Sequence, residues 1–236
     1  MMLIPKGALV NAITVTVGSS IGLLLHESIP HDYQTSLLTT VGLAVLIMGA
    51  QMTIHNTDAK GWTILIMGLL IGLLIGNGLD VRAHFLQLAD ALKHIGISQD
   101  PRFSEGLLAA FVIFCVGAMT LMGSLEEGLT GNRSLIYAKA TLDGFTSVAL
   151  AASYGIGVLF AALPLLLFQS TITHSASLLR RFLDEATLPW ISATGGLLIA
   201  GIGLEMLRAV ELPIENLLPA LFTVPLLARL SRSIIQ

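Results

Sequence analysis

The 236-residue chain is 54% hydrophobic and only 11% charged, with a net charge of −3 and a mean hydropathy of +0.84. A soluble globular domain carries about 25% charged residues, so this composition excludes a soluble protein and indicates an integral membrane protein. The basic residues are scattered along the chain, which argues against a nucleic-acid-binding protein.

Apolar runs long enough to cross a bilayer begin near the N-terminus. The charge-free stretch Gly7–Leu25 has 19 residues and no small-residue cleavage site after it, so we expect a retained span and not a signal peptide. Further spans are predicted at Tyr33–Ile54, Gly61–Leu79, Gly106–Leu125, Ala186–Leu204 and Pro213–Leu230. Gly68, Gly72 and Gly76 recur every four residues and predict a close-packing helix face. The chain is therefore predicted to be an all-α polytopic membrane protein.

The run Gly144–Thr173 is 30 residues long and carries no charge. A continuous helix of this length would measure about 45 Å, against a hydrocarbon core of about 30 Å. The glycines in Ser153–Gly157 make this the predicted break. The segment 134–173 is then one broken span, giving seven crossings, or a hairpin, giving eight. Leaving out Lys139, which lies within a predicted span, the basic residues divide seven to four between the two sides in either topology, so the positive-inside rule does not decide.

Two short stretches, 81–95 and 178–185, place apolar residues every three or four positions beside charged ones. This pattern predicts amphipathic helices that lie along the membrane interface or pack on the bundle as solvated connectors.

A faint internal repeat aligns Thr40–Met52 with Thr194–Met206, matching at five of thirteen positions. A genuine duplication would place a three-helix repeat in halves 1–96 and 134–236 of a single transmembrane domain, 1–236, linked by residues 103–125. Seven crossings would make the repeats parallel and eight would make them inverted, and transporters use both arrangements.

Lys139 and Asp143 are the leading candidate site residues, because they lie inside a predicted span. A charge at bilayer depth costs roughly 2.5–3.5 kcal/mol on insertion scales. Their spacing of four residues puts them on one helical face, where they can neutralise each other. Asp143 would bind a proton or an ion, and a purely structural ion pair is the alternative. Asn11 in the first span is costly to bury and is predicted to point into the bundle at a polar partner.

Glu126 and Glu127 lie in the glycine-rich stretch Gly123–Gly131, which we predict to be a loop. They would gather cations at a vestibule, or they belong to an ordinary polar loop. Gln51, Gln169 and Glu205 lie at or within span ends and are weaker candidates for a site.

Metal, cofactor and enzyme signatures are missing from the sequence. Cys115 is the only cysteine, and the six histidines show no paired ligand spacing, so we predict neither a metal site nor a cofactor. No nucleophile elbow or phosphate-binding loop is present, and Asp143 has no intramembrane carboxylate partner in the sequence. We therefore expect that the protein is not an enzyme.

Six pieces in chain order resemble a known family. They are Ile4-Pro-Lys-Gly-Ala-Leu-Val-Asn11, Phe114-Cys-Val-Gly-Ala-Met119, Gly123-Ser-Leu-Glu-Glu-Gly-Leu-Thr-Gly131, Lys139-Ala-Thr-Leu-Asp-Gly-Phe145, Gly155-Ile-Gly-Val-Leu-Phe160 and Asn216-Leu-Leu-Pro-Ala-Leu221. The chain resembles the bacterial inner-membrane proteins grouped as domain of unknown function 554. The resemblance implies a multi-pass protein of the bacterial cytoplasmic membrane. The family is usually described only as a transporter candidate, so the residues must supply the mechanism.

The residues favour a small secondary transporter or ion-coupled permease, with its site where segment 134–173 meets the first span. Discontinuous helices can present backbone groups to a ligand at the bilayer midplane. A passive channel with Glu126 and Glu127 at its mouth is the first alternative, and a structural membrane subunit is the second. The expected partners are the lipid bilayer and a small-molecule or ion substrate, with a homo-oligomer as a further hypothesis and no nucleic acid.

Overall fold

The computed structural model describes residues 4–28, 31–58, 61–84, 87, 102–115, 118–179 and 186–235, and within these ranges the chain is helical with connecting turns and no β-strand. The helices are α1 (Lys6–Ser28), α2 (His31–His55), α3 (Gly61–Gly78), α4 (Phe103–Cys115), α5 (Ala118–Thr130), α6 (Ser134–Tyr154), α7 (Gly157–Phe160), α8 (Ala162–His174), α9 (Ala176–Leu179), α10 (Leu188–Met206), α11 (Ile214–Leu217) and α12 (Ala220–Ile235). A backbone in hydrocarbon must bond its own N–H and C=O groups, which is why apolar runs form helices. The all-helical prediction is confirmed.

Several of these helices satisfy the length and composition of a membrane span. The described residues include five such segments, namely Lys6–His26, Gly61–Gly78, Gly157–His174, Leu188–Met206 and Ile214–Ser231. A sixth is added if Phe103–Cys115 and Met119–Thr130, which are bent by 58°, form one span. The second predicted span corresponds to α2, whose apolar part is the shorter Thr39–His55.

The chain divides into two compact units, each assembled from segments that are distant in sequence. Unit 1 combines Met1–Val41 with Leu92–Phe182, and unit 2 combines Gly42–Ala91 with Leu183–Gln236. The division into halves 1–96 and 134–236 stays a prediction.

The most extensive helix pair in unit 1 is α1 with α6. Gly18 lies so close to α6 that a Cβ there would meet the carbonyl oxygen of Gly144, and a Cβ on Gly22 would meet the Cβ of Ala151 at 2.8 Å. The contacted positions rise together along both helices, so α1 and α6 run in the same direction. Small residues permit this close approach.

The chain reverses direction between α6 and α8. Helix α6 ends at Tyr154, and Gly155 takes φ 77°, a left-handed backbone conformation that favours glycine. Helix α4 packs against both limbs of the reversal. Its Gly106 approaches Tyr154 near the end of α6, whereas Phe103 and Phe111 pack on Phe160 and Phe168, with ring centroids 5.8 and 6.1 Å apart. Helix α6 thus runs opposite to α4, and α8 runs in the same direction as α4.

The prediction of a loop around Glu126 and Glu127 was wrong, because both residues lie in helix α5. The glycines there permit close packing: a Cβ on Gly128 would meet the carbonyl oxygen of Thr173 and the Cβ of Ala176. The turn follows α5, where Gly131 takes φ 76°. The fourth predicted span likewise differs from one straight helix, since its residues fall in α4 and α5.

Unit 2 is held together by glycines that admit backbone contacts. A Cβ on Gly68 would lie 2.7 Å from the Cα of Val224, and one on Gly72 would lie 2.6 Å from the Cα of Ala220. Leu65, Ala193, Ala220 and Val224 form a fully buried cluster beside these contacts. The predicted glycine packing face on the third span is confirmed.

A second glycine-mediated pair in unit 2 joins α2 to α10 in opposite directions. Gly49 packs against Ala200, whereas Gly203 packs against Leu46. The two contacts are reciprocal, since each glycine touches the helix that carries the other.

The predicted amphipathic stretches lie largely outside the described residues. Of the first, residues 81–84 form a helical turn, and of the second, Leu178 and Leu179 end α9.

A substitution in α3 tests the glycine packing. Gly72→Ala should lower the free energy of unfolding by about 1–3 kcal/mol, because the added methyl group overpacks a backbone contact. Gly78→Ala is the matched control, since nothing lies within 4 Å of a Cβ at that position. Melting temperatures in detergent measure both, and equal values for the two variants would contradict this packing.

Candidate functional site

Lys139 and Asp143 form an ion pair on the inward face of α6. The Lys139 ammonium nitrogen, Nζ, lies 2.5 Å from each of the two carboxylate oxygens of Asp143. The residues are 8% and 4% exposed, so the pair is buried among helices. The predicted pairing on one helical face is present, with α4 and α1 supplying the remaining partners.

Helix α4 contributes the backbone carbonyl of Phe114, next to its last residue. Carbonyls in the last turn of a helix lack an intrahelical partner. The Phe114 oxygen instead accepts hydrogen bonds from Lys139 Nζ and from Thr120 Oγ1, both at 2.9 Å. The same ammonium nitrogen lies 5.9 Å from the centroid of the Phe114 ring, within cation–π range. The C-terminal end of α4 therefore binds the Lys139 ammonium group.

Helix α1 contributes Asn11, which is fully buried, as predicted from the cost of exposing an amide to lipid. Its Nδ2 donates to Asp143 Oδ2 at 3.0 Å. Ala8, Ala12 and Val15 are buried on the same face of α1. Asn11 Oδ1 is buried and has no hydrogen-bond partner among the described residues.

These groups form a row in the order carbonyl, ammonium, carboxylate and amide. The Lys139 ammonium has three N–H donors, directed at Asp143 and Phe114, so it is fully hydrogen-bonded. The carboxylate has a cation on one side and the Asn11 amide on the other. Such a row can exchange a proton or an ion only if the Lys139–Asp143 contact rearranges.

Glu127 lies in a different cluster, at the N-terminal end of α1. Its carboxylate accepts the Gly7 N–H at 3.0 and 3.2 Å and Arg133 Nε at 2.8 Å. A Cβ on Gly7 would overlap this carboxylate, so only glycine leaves room for it. An anion at a helix N-terminus satisfies free N–H groups and the helix dipole. Glu127 therefore fixes the start of α1.

Glu126 points elsewhere and accepts a hydrogen bond from Asn132 Nδ2 at 2.6 Å. The two glutamates therefore do not act as a pair, and neither contacts Asp143 through a described hydrogen bond. This arrangement weakens the hypothesis of a cation-gathering vestibule.

Sequence reasoning underrated Gln169 and passed over Ser124 as a site residue. Both side chains are completely buried in unit 1, and neither has a hydrogen-bond partner in the described part of the chain. The signal for Gln169 was available, because it is the only amide in a 30-residue run without a charge. Ser124 gave no comparable signal, since membrane helices commonly contain serine.

An open groove on the surface of unit 1 does not reach the ion pair. It encloses about 340 Å³ between α1 and α6. Its lining residues are Ile13, Thr14, Val17, Gly18, Ile21, Thr141, Gly144, Phe145 and Val148. The groove is mostly apolar, as expected for a surface in contact with lipid.

Apolar helices around a buried charged pair define an integral membrane protein of the all-helical class. The chain belongs to the family described as protein of unknown function, domain of unknown function 554, whose sequence model matches residues 6–229. The family predicted from the six sequence pieces is thus confirmed.

Two relatives resemble the chain over nearly its whole length. The "Uncharacterized membrane protein YdfK" of Bacillus subtilis strain 168 is 30% identical over 220 residues, which is 93% of each chain. The "Uncharacterized protein YqgA" of Escherichia coli strain K12 is also 30% identical over 220 residues, covering 91% of this chain and 92% of that protein. No solved structure matches.

A double-mutant cycle tests the ion pair. Lys139→Met or Asp143→Asn alone should lower the free energy of unfolding by roughly 3–5 kcal/mol, because each leaves a buried charge without its counter-charge. The double variant should recover most of this loss. Detergent unfolding measures the cycle, and additive losses in the double variant would show that the two charges are independent.

A second prediction separates the two glutamates. Glu127→Gln should cost about 1–2 kcal/mol, because the amide no longer places a negative charge at the α1 N-terminus and beside Arg133. Glu126→Gln keeps an oxygen for Asn132 and should stay within about 0.5 kcal/mol of wild type. The measurement is the thermal melting of both variants; a larger loss for Glu126→Gln would reverse the assignment.

Proposed function

We propose that the protein is an ion-coupled secondary transporter of the bacterial cytoplasmic membrane, with Asp143 as the coupling group. The observation that carries the proposal is the buried row of the Phe114 carbonyl, Lys139, Asp143 and Asn11. Ionisable residues inside membrane helices are costly and mark ion or substrate pathways in many membrane proteins. The row lies where a helix ends within the bundle, an arrangement that transporter sites use.

The proposed coupling step is a change of partner for Asp143. Protonation of the carboxylate, or binding of a cation to it, would weaken its attraction to Lys139. The ammonium would keep the Phe114 carbonyl, which ties α6 to α4, whereas the Asp143 carboxyl would keep only the Asn11 amide of α1. Since the two members of the pair bond different helices, the charge state of one carboxylate would bias how α6 packs between α4 and α1.

The proposed topology has eight crossings. Helices α6 and α8 pack against α4 in opposite directions, which supports two crossings in place of one broken span. The eight crossings are α1, α2, α3, α4 with α5, α6, α7 with α8, α10, and α11 with α12.

We further propose that the three-helix repeat is genuine and inverted. Thr194 follows Thr40 by 154 residues, and the same offset relates Gly49 to Gly203 and Leu46 to Ala200. Replacing each residue by its counterpart at this offset turns the contact of Gly49 with Ala200 into the contact of Gly203 with Leu46. A two-fold axis in the membrane plane produces such exchanged contacts between antiparallel helices. Inverted repeats are typical of secondary transporters, which supports that class.

The lipid bilayer is the proposed partner of the exposed apolar side chains. Phe145 and Phe222 are 75% and 78% exposed, and Leu74 is 70% exposed. A homo-oligomer remains a hypothesis that no described contact supports.

A structural membrane subunit is the second candidate function. The observation in its favour is that the ammonium and both carboxylate oxygens already have partners within the protein. A channel is less favoured, because Glu127 is engaged by Gly7 and Arg133.

Flux in proteoliposomes tests the proposal. Purified protein would be reconstituted with a pH-sensitive dye inside, and ion gradients and small organic solutes would be imposed outside. Wild type should move protons or cations in a gradient-dependent way. Asp143→Asn, which is destabilised by the unpaired Lys139 charge, should be assayed at a temperature well below its melting point and should show the flux of empty liposomes, because an amide cannot ionise.

Glu211→Gln is the control, since it makes the same chemical change at an exposed position. Wild-type flux from Asp143→Asn would end the coupling role. Wild-type protein without flux under every gradient would favour the structural subunit.

A further inference from the structure

Three helices of unit 1 bring completely buried polar side chains into its core without hydrogen-bond partners among the described residues. These are Asn11 on α1, through Oδ1, Ser19 on α1, through Oγ, Ser124 on α5, through Oγ, and Gln169 on α8, through both Nε2 and Oε1. Ser19 lies two helical turns beyond Asn11. A buried polar group without a partner costs roughly 1–3 kcal/mol, so the other three groups, on three different helices, require an explanation.

The packing of α5 on α8 brings Ser124 and Gln169 within one helical turn of a shared contact. Gly128 of α5 packs against the Thr173 carbonyl, and Phe111 of the preceding helix packs against Phe168. Ser124 and Gln169 each precede the Gly128–Thr173 contact by four residues, so each lies one helical turn from it.

A chain of contacts links the depth of Asn11 to that of Gln169. The ring of Phe111 contacts that of Phe168, the neighbour of Gln169 in sequence. Phe114, one turn along α4, bonds Lys139 through its carbonyl, and the Lys139–Asp143 pair leads to Asn11. Helix α1 also packs directly on α8. The partnerless groups of α1 and α8 are thus within about one helical turn of each other in depth.

The negative charge of Asp143 lies between the Asn11 amide and the positive charge of Lys139. Asp143 bonds the Asn11 amide nitrogen, whereas Lys139 lies on the other side of the carboxylate and is directed at the Phe114 carbonyl. Asn11 Oδ1 therefore has the carboxylate as its nearest charge, with the ammonium farther away. Coulomb attraction falls with distance, so this end of the row favours a positive charge.

The chemistry of the partnerless atoms agrees with this polarity. Asn11 Nδ2 is directed at Asp143, so Oδ1, which as a carbonyl oxygen can only accept hydrogen bonds or ligate a cation, is the atom left without a partner. Gln169 Oε1 and Ser124 Oγ add two more neutral oxygens. Hard cations prefer oxygen ligands, and transporter sites bind sodium ions with neutral oxygens near the midplane.

We infer that Asn11 Oδ1, Ser124 Oγ and Gln169 Oε1 form a binding site for a small monovalent cation such as Na⁺, beside Asp143. The inference rests on the proposed function in that it names the coupling ion. The cation is bound by neutral oxygens, and Asp143 stabilises it at longer range. A cation bound there attracts the Asp143 carboxylate and weakens the attraction of the carboxylate to Lys139. Cation binding is therefore coupled to the Lys139–Asp143 contact.

Sodium-dependent stability tests the site directly. A ligand that binds the folded state raises its stability as its concentration increases. Purified full-length protein would be melted in sodium chloride and in choline chloride of equal ionic strength, and binding of radioactive sodium would be measured by scintillation proximity. Wild type should bind sodium and melt at a higher temperature in sodium chloride.

Gln169→Met and Ser124→Ala should each weaken or remove both sodium effects. Gln51→Met, at an exposed amide, and Ser147→Ala, whose hydroxyl is bonded to the Gly144 carbonyl, are the matched controls and should keep them. Two independent site variants are used so that misfolding of one leaves the other to decide.

A buried amide that serves only packing gives a different result. Gln169→Met would then melt at or above the wild-type temperature in both salts, with sodium binding unchanged, and this outcome would overturn the site. Absence of sodium binding in wild type, with Asp143-dependent proton flux intact, would overturn the site and leave the proposed function standing. Sodium binding that depends on Gln169 without any flux would support the site and reject transport.

Discussion

A charged side chain in the hydrocarbon region must find an opposite charge and enough hydrogen-bond partners, and the Lys139–Asp143 pair imposes this requirement on unit 1. The two residues neutralise each other on α6, but the ammonium still needs the Phe114 carbonyl and the carboxylate still accepts from Asn11. These bonds join α6 to the end of α4 and to the second turn of α1. The positions of three helices therefore depend on one ion pair.

Small residues make these polar contacts geometrically accessible. Helices α1 and α6 approach closely at Gly18 and Gly22, where any side chain would meet the backbone of α6. The same closeness lets the short Asn11 side chain reach Asp143. At the start of α1, the missing side chain of Gly7 leaves room for Glu127 of α5 to reach the Gly7 N–H. Dispersion contacts and buried hydrogen bonds thus act together, since lipid offers no hydrophobic force to drive helices against one another.

The two units treat buried amides differently. In unit 2, Asn216 donates to Asn77 at 2.7 Å and accepts the Arg82 N–H at 2.8 Å, so its amide is bonded at both ends. In unit 1, Gln169 has no partner in the described chain and Asn11 has a partner only for its nitrogen. A satisfied amide is explained by packing alone. Because the amides of unit 1 have unbonded atoms, we propose the cation-binding site there.

The sequence by itself determined the class of protein, the helices and the leading charged residues. Apolar runs near 20 residues can satisfy their backbone in a membrane only as helices, and a lysine four residues before an aspartate in such a run must share its face. The position of the helix end near Gly155 was also predictable, because the 30-residue run exceeds the bilayer thickness.

Only the tertiary structure decided which groups meet. Nothing in the local sequence indicates that the Phe114 carbonyl bonds Lys139, or that Glu127 caps a helix that begins 121 residues earlier, at Lys6. The glycines at 123, 128 and 131 have similar sequence surroundings. In the structure Gly123 and Gly128 lie in a helix and pack against other helices, whereas Gly131 makes a turn. The difference lies in what faces each position, and that is set by long-range packing. The partners of Gln169 and Asn11 depend on the same packing, which is why a sequence shows that such groups are present but not whether they are satisfied.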